Sequence, residues 1–355
     1  MHDGEEERSA GVCVHGSEGT FLDPPPREAS EPGQRRAEAE VRAEAEAEVT
    51  DLGAVRVEPV RFGVVARRTS STTAGARPAS VRSAASWPGW RSRLTLPQRQ
   101  PRSMAGMTTQ AFTVHHDGVT IPVSRGGRGR PLVLCPGLCS TQADLHELTE
   151  LLRRDHDVVT FDLRGHGLAA PADRYSFEAF LGDLGAVLAE LDLASAPVLV
   201  GYSLGADLVV HHASEQPDAV AGLVLVDGAN PVPEPFITEA DLPVLRAMWE
   251  EQETDVSLTA QDILDLNLEL DVLRPRLLGR YRKIDRPISM IMSIAMAGDG
   301  GEGLAPRYNE LWRAGVDRLA RERPDISTSW LDADHRLVCT HAPQIARLIR
   351  RLVRC

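Results

Sequence analysis

A mostly parallel α/β sheet with helices on both faces is the fold class that the sequence predicts, and three observations predict it. From Met107 onward, eight short apolar runs rich in β-branched residues alternate with longer helical segments. One of these runs leads through Gly201-Tyr202-Ser203-Leu204-Gly205 directly into a helix. Farther on, a stretch from about 231 to 285 carries leucine, methionine and tryptophan at helical rather than strand spacing, as an inserted helical cap should.

The elements follow in chain order. Residues 1–106 are expected to be a disordered or low-complexity extension: Pro24 to Pro26 are consecutive, an Ala/Glu run follows, and then comes a stretch rich in Arg, Ser and Ala with no acidic residue between Val60 and His116. The Ala/Glu run favours helix but has no apolar face to dock. Met104 or Met107 is the expected natural first residue. The eight expected strands are AFTVHH, VTIPVS, PLVLCPG, DVVTFDL, PVLVGYS, GLVLVDGA, PISMIMSIAM and ISTSWLDADH. Helices are expected over LHELTELLRR, FEAFLGDLGAVLAELDL, ADLVVHHASEQ and APQIARLIRRLV. In the second of these, Phe180, Leu184, Val187, Leu188 and Leu191 recur at helical spacing and make one apolar face.

Bulk composition narrows the function classes. With 42% hydrophobic and 25% charged residues, the 355-residue chain has the apolar mass for a large globular core. Its formal charge of -12 argues against nucleic acid or an anionic membrane as partner, since both attract basic surfaces. The start, MHDGEEERSA, lacks the apolar core of a secretory signal, and no run is apolar for long enough to span a bilayer, so a cytoplasmic location is the default expectation. Five scattered cysteines (Cys13, Cys135, Cys139, Cys339 and Cys355) form neither a disulfide framework nor a metal-ligand spacing.

The chemistry is expected at Ser203. A serine in G-x-S-x-G between a buried strand and a helix sits on a sharp turn that exposes Oγ at the C-terminal edge of the sheet. The flanking Gly201 and Gly205 leave room where a side chain would strike the neighbouring strand and helix. The helix that begins there aims backbone N–H groups at the place where negative charge would develop on an acyl oxygen.

From about Ala111 to the C-terminus the chain resembles the α/β-hydrolase superfamily. Besides the serine turn, PLVLCPGLCST resembles the family's strand and oxyanion loop, with Pro136-Gly137-Leu138 where His-Gly-x usually stands. VVTFDLRGHGLA is similar to the family's D-x-R-G-x-G segment, whose Asp162, Arg164 and His166 would shape a loop near the site. The resemblance implies an eight-stranded, mostly parallel sheet, a cap over about 231–285 and a serine hydrolase that forms an acyl-enzyme. It implies Ser203 as nucleophile, His335 after the last strand as general base, and the backbone N–H groups of Leu138 and Leu204 as oxyanion donors. For the acid, Asp299 after the penultimate strand is preferred, and Asp227 after the strand that follows the nucleophile helix is the alternative. Tyr202, Met248 and Trp249 are candidate pocket residues, with Leu245, Leu266 and Leu270 further cap residues that could face an acyl group. No metal or cofactor is needed, and the implied partner is a small or medium apolar ester, lactone or thioester. Acyl transfer, carbon–carbon bond hydrolysis, a lyase or cyclase step, and non-catalytic ligand binding are the other readings the same scaffold allows.

Overall fold

The computed structural model describes residues 109–251 and 256–353. The expected N-terminal extension, and with it the choice of first residue, lies outside these. Within them the chain forms β1 (Gln110–His116), β2 (Val119–Gly127), β3 (Arg130–Cys135), α1 (His146–Leu152), β4 (His156–Phe161), α2 (Phe177–Ala189), β5 (Val198–Tyr202) and α3 (Leu204–Glu215). There follow β6 (Gly222–Val226), α4 (Leu242–Glu251), α5 (Ala260–Leu273), α6 (Leu277–Tyr281), β7 (Ile288–Ser293), α7 (Ala305–Glu322), β8 (Ser327–Leu331), α8 (Leu337–Thr340) and α9 (Ala342–Val353).

All eight strands join one sheet in the order β1-β2-β4-β3-β5-β6-β7-β8. Only the β1–β2 and β2–β4 pairings are antiparallel. The strands β4, β3, β5, β6, β7 and β8 run parallel. A parallel sheet must be covered on both faces, and the strand sequences show it: Leu132 to Cys135 of β3 and Val198 to Val200 of β5 are successive apolar residues, buried on each face. Leu132, Leu134, Val198, Val200, Val224 and Ile291 pack with Leu148 and Leu152 of α1 and with Ile345 and Ile349 of α9. The alternate residues Val133, Leu199, Leu225 and Met290 pack with Phe180 and Leu184 of α2 and Leu208 of α3.

The strands begin and end near where their sequences suggested, with two consequences for the site. β7 stops at Ser293, so Ile294 to Asp299 is a turn that leads outward rather than the end of a strand. The segment between β7 and β8, to which the sequence reading assigned no element, is the 18-residue helix α7. Pro306 in its first turn suits a helix start, and Tyr308, Leu311, Trp312, Gly315, Val316 and Leu319 form its buried face at helical spacing. The helices α4, α5 and α6 lie in the chain between β6 and β7.

Among the described residues, no helix is long and apolar enough to cross a membrane.

Candidate active site

The turn between β5 and α3 is built from close backbone approach. A Cβ at Gly201 would come within 2.4 Å of the Gly205 carbonyl oxygen, and one at Gly205 within 2.2 Å of the Cys135 carbonyl oxygen, so both positions exclude every larger residue. Ser203 itself takes φ 52° and ψ -120°, a conformation that L-residues rarely adopt. Its amide donates to the Val226 carbonyl oxygen at 2.9 Å, which carries the sheet pairing past the end of β5 and anchors the strained residue. Leu204 is the first residue of α3, so Oγ stands at the positive end of that helix.

Three side chains from distant parts of the chain meet in a row. Ser203 Oγ lies 2.8 Å from His335 Nε2, and His335 Nδ1 lies 2.8 Å from Asp227 Oδ2. With a buried carboxylate beside it, Nδ1 carries the ring proton and Nε2 is left as an acceptor toward the serine hydroxyl. Asp227 is fully buried, and its carboxylate is saturated: Oδ1 accepts from the Ser293 amide at 3.0 Å and from Trp312 Nε1 at 3.0 Å, and Oδ2 accepts from Ser293 Oγ at 2.7 Å. Those donors offset the cost of burying the charge. The loop bearing His335 is held at both ends of the residue, its amide donating to the Met296 carbonyl and its carbonyl accepting from the Tyr202 hydroxyl at 2.7 Å.

The structure does not bring Asp299, the preferred candidate for the acid, to His335. Asp299 is exposed and lines an outward-facing groove with Pro306, Glu310 and Arg313; Asp227 is the carboxylate on His335. The physical reason is the early end of β7, which lets the chain turn away before residue 299 is reached.

Leu138 and Ser203 both line a partly open cavity of about 120 Å³. Among the described residues, neither the Leu138 nor the Leu204 amide donates a hydrogen bond. The Leu138 loop is set by His166: the Cys139 amide donates to its Nε2 at 3.0 Å, and its Nδ1 faces the Arg164 carbonyl oxygen at 2.8 Å. This arrangement needs a neutral ring with the proton on Nδ1, and burial lowers the His166 pKa in the direction that keeps it neutral. Asp162 fixes the following turn by accepting from the Gln142 and Leu168 amides. Arg164 makes a two-pronged pair with buried Asp183. These three residues thus shape the loop, as the D-x-R-G-x-G resemblance implied.

The cavity over Ser203 and His335 is walled by Phe236, Ile237, Leu245, Met248, Trp249, Met296, Tyr308 and Trp312. Of the candidate pocket residues, Met248 and Trp249 line this cavity, and so does Leu245. Leu266 and Leu270 do not; they are buried in the core. Tyr202 is not a wall of the cavity either. It alternates with Val198 and Val200, faces the α9 side of the sheet and supports His335. That period-2 alternation was legible in the sequence. Trp312 and Tyr308 were missed because no helix was assigned to residues 305–322. Asn267, Asp271 and Arg274 also line the cavity.

Comparison with known proteins bears on the fold. Residues 130–262 match the family model for the α/β hydrolase fold. The chain has the α/β hydrolase fold. It is 25% identical over 235 residues to the 2-(acetamidomethylene)succinate hydrolase of Mesorhizobium japonicum, an alignment covering 59% of this chain and 82% of that one. It is 35% identical over 104 residues to the N-formylmaleamate deformylase of Pseudomonas putida, covering 29% of this chain and 38% of that one. In fold it is similar to a thermophilic esterase from Thermogutta terrifontis, with a TM-score of 0.53, 18% identity, and coverage of 69% of this chain and 98% of that one. Both of these named relatives are hydrolases, and this chain is an enzyme of the same fold.

Proposed function

We propose that this protein is a serine hydrolase that cleaves a small or medium carboxylic ester, lactone or thioester through an acyl-enzyme. The observation that carries the reading is the continuous Ser203–His335–Asp227 hydrogen-bonded row opening onto a largely apolar cavity. His335 Nε2 takes the Ser203 hydroxyl proton as Oγ attacks the carbonyl carbon, and Asp227 stabilises the resulting imidazolium without itself taking the proton. The oxyanion accepts hydrogen bonds from the Leu138 and Leu204 amides, which are fixed before reaction and so need little reorganisation. His335 returns its proton to the departing alcohol or thiol. A water molecule, deprotonated by the same histidine, then attacks the acyl-serine, and the released proton passes back to Ser203 Oγ.

The apolar walls formed by Leu245, Met248, Trp249 and Phe236 suit an acyl group with a hydrocarbon body. The segment 231–285 serves as the cap that selects it. A fluorophosphonate probe, combined with hydrolysis of short p-nitrophenyl esters, tests the reading in wild type, Ser203→Ala and His335→Ala. Labelling confined to proteins that retain Ser203, with ester turnover lost in both variants, is the expected result. Folded wild-type protein that takes no label would overturn it, and labelling without turnover would move the reading to acyl transfer or another use of the same serine.

A further inference from the structure

One face of α5 and the turn after it carries three polar side chains among leucines. Asn267, Asp271 and Arg274 follow each other at i, i+4 and i+7, and all three line the cavity that contains Ser203 and His335. The helical path continues through Arg274, whose amide donates to the Leu270 carbonyl. Polar groups facing an otherwise apolar pocket are costly unless something satisfies them.

Arg274 is the best defined of the three. Its side chain is 9% exposed and is held by Asp207 of α3, with Nη2 2.9 Å from Oδ2 and Nε 3.4 Å from Oδ1. The guanidinium also lies over the Trp312 ring, 5.3 Å from its centroid. Both contacts leave Nη1 without a hydrogen-bond acceptor among the described residues. Asn267 donates through Nδ2 to the Ile263 carbonyl, so its Oδ1 remains available to accept. Asp271 accepts from the Ile237 amide at 2.7 Å, and burial pushes its pKa upward.

Charge decides what such a pole can hold. Asp207 already neutralises Arg274, and Asp271 adds a carboxyl group rather than a second cation. The pole therefore offers a fixed donor and nearby acceptors but no net positive charge, which suits a neutral group that both donates and accepts and disfavours a carboxylate.

Resting on the acyl-hydrolase reading above, we propose that Asn267, Asp271 and Arg274 form a specificity subsite for a neutral hydrogen-bonding group, of the hydroxyl or carboxamide class, carried on the acyl part of the substrate. The apolar walls hold the hydrocarbon body, and this pole selects its polar end.

The test uses p-nitrophenyl esters of straight-chain acids of four to eight carbons whose far end is isopropyl, carboxamide or carboxylate, three groups of similar shape. At the best chain length, kcat/KM for the carboxamide should exceed that for the isopropyl ester by roughly tenfold, as expected for a hydrogen bond the site would otherwise leave unmade, and should also exceed that for the carboxylate. In Asn267→Leu, and in the charge-balanced double variant Asp207→Leu with Arg274→Met, the ratio of carboxamide to isopropyl should fall toward one. Asn267 is only half-buried, so its variant keeps the test in force if the double variant does not fold. A wild type that prefers isopropyl or carboxylate to carboxamide, or a preference that survives in Asn267→Leu, would overturn the subsite while leaving the hydrolase reading intact. No turnover of any of the three esters, together with an unlabelled Ser203, would overturn both.

Discussion

Replacing Asp227 by asparagine changes one atom at the end of the Ser203–His335 row, and the hydrogen bonds around it set the consequence. Oδ1 faces two fixed donors, the Ser293 amide and Trp312 Nε1, so an NH2 group cannot sit there without opposing both. Oδ2 faces the Ser293 hydroxyl, which can rotate to accept, and His335 Nδ1. The asparagine will therefore turn its NH2 toward His335, whose Nδ1 must then be the unprotonated nitrogen. The ring proton moves to Nε2, which can no longer take the proton of Ser203. Loss of the base in this way costs on the order of 10³- to 10⁴-fold in kcat, or roughly 4–5.5 kcal/mol of transition-state stabilisation. The assay is kcat for a p-nitrophenyl ester near neutral pH, with thermal melting to verify that the variant is folded. Asp299→Asn, at an exposed turn, should stay within about twofold of wild type. A folded Asp227→Asn enzyme within tenfold of wild type, or an Asp299→Asn enzyme that loses more than it does, would refute the reasoning.

Trp312→Phe keeps most of the cavity wall but removes the indole donor to Asp227 Oδ1, and kcat should fall by roughly tenfold, as for a lost hydrogen bond to a charged group. A change in KM alone would show that Trp312 serves only as wall. His166→Phe leaves the Cys139 amide unpaired, so the Leu138 loop should loosen and kcat drop by about tenfold, with fluorophosphonate labelling of Ser203 slowed in parallel; unchanged kcat would remove His166 from the positioning of that loop. Stability should fall as pH drops below about 6.5, because burial lowers the folded-state pKa values of His166, His211 and His212 while the unfolded chain takes up their protons near that pH. Each histidine contributes a slope of at most about 1.4 kcal/mol per pH unit until its own folded pKa is reached, and a denaturation midpoint that is flat between pH 6.5 and 5 would contradict this. Gly205→Ala should fail to give folded enzyme, since its Cβ would meet the Cys135 carbonyl oxygen at 2.2 Å; a soluble variant with wild-type melting would show that the turn can relax.

Much of the candidate site was legible because its cues are local. A strand, a glycine, a serine, a glycine and a helix specify the Ser203 turn within about a dozen residues, and no distant contact is needed to read it. His335 was readable from its place between the last strand and the terminal helices. The alternation of apolar runs and helical segments likewise exposed the sheet, since each strand's own side chains report burial on both faces. Helix α7 was harder to see. Its sequence is rich in arginine and glutamate, and only one face, built on Leu311, Trp312 and Val316, turns inward.

The acid partner could not be read in this way. Asp227 and Asp299 each follow an apolar run that reads as a strand, and neither sequence context distinguishes them. Asp227 is set apart by Ser293, Trp312 and His335, which lie 66, 85 and 108 residues away along the chain and surround it only once β6, β7, α7 and the loop after β8 are assembled. The polar pole of the cavity has the same origin. Asn267, Asp271 and Arg274 share a helical face that the sequence could have shown, but Asp207, which neutralises Arg274, is brought to it by packing across 67 residues. The α/β architecture, the strained serine and its histidine could be read along the chain, because these rest on short-range backbone geometry. Which carboxylate completes the row, and what charge the far end of the cavity presents, emerge only on folding, because burial and pairing of charges are set by neighbours that the chain order does not bring together.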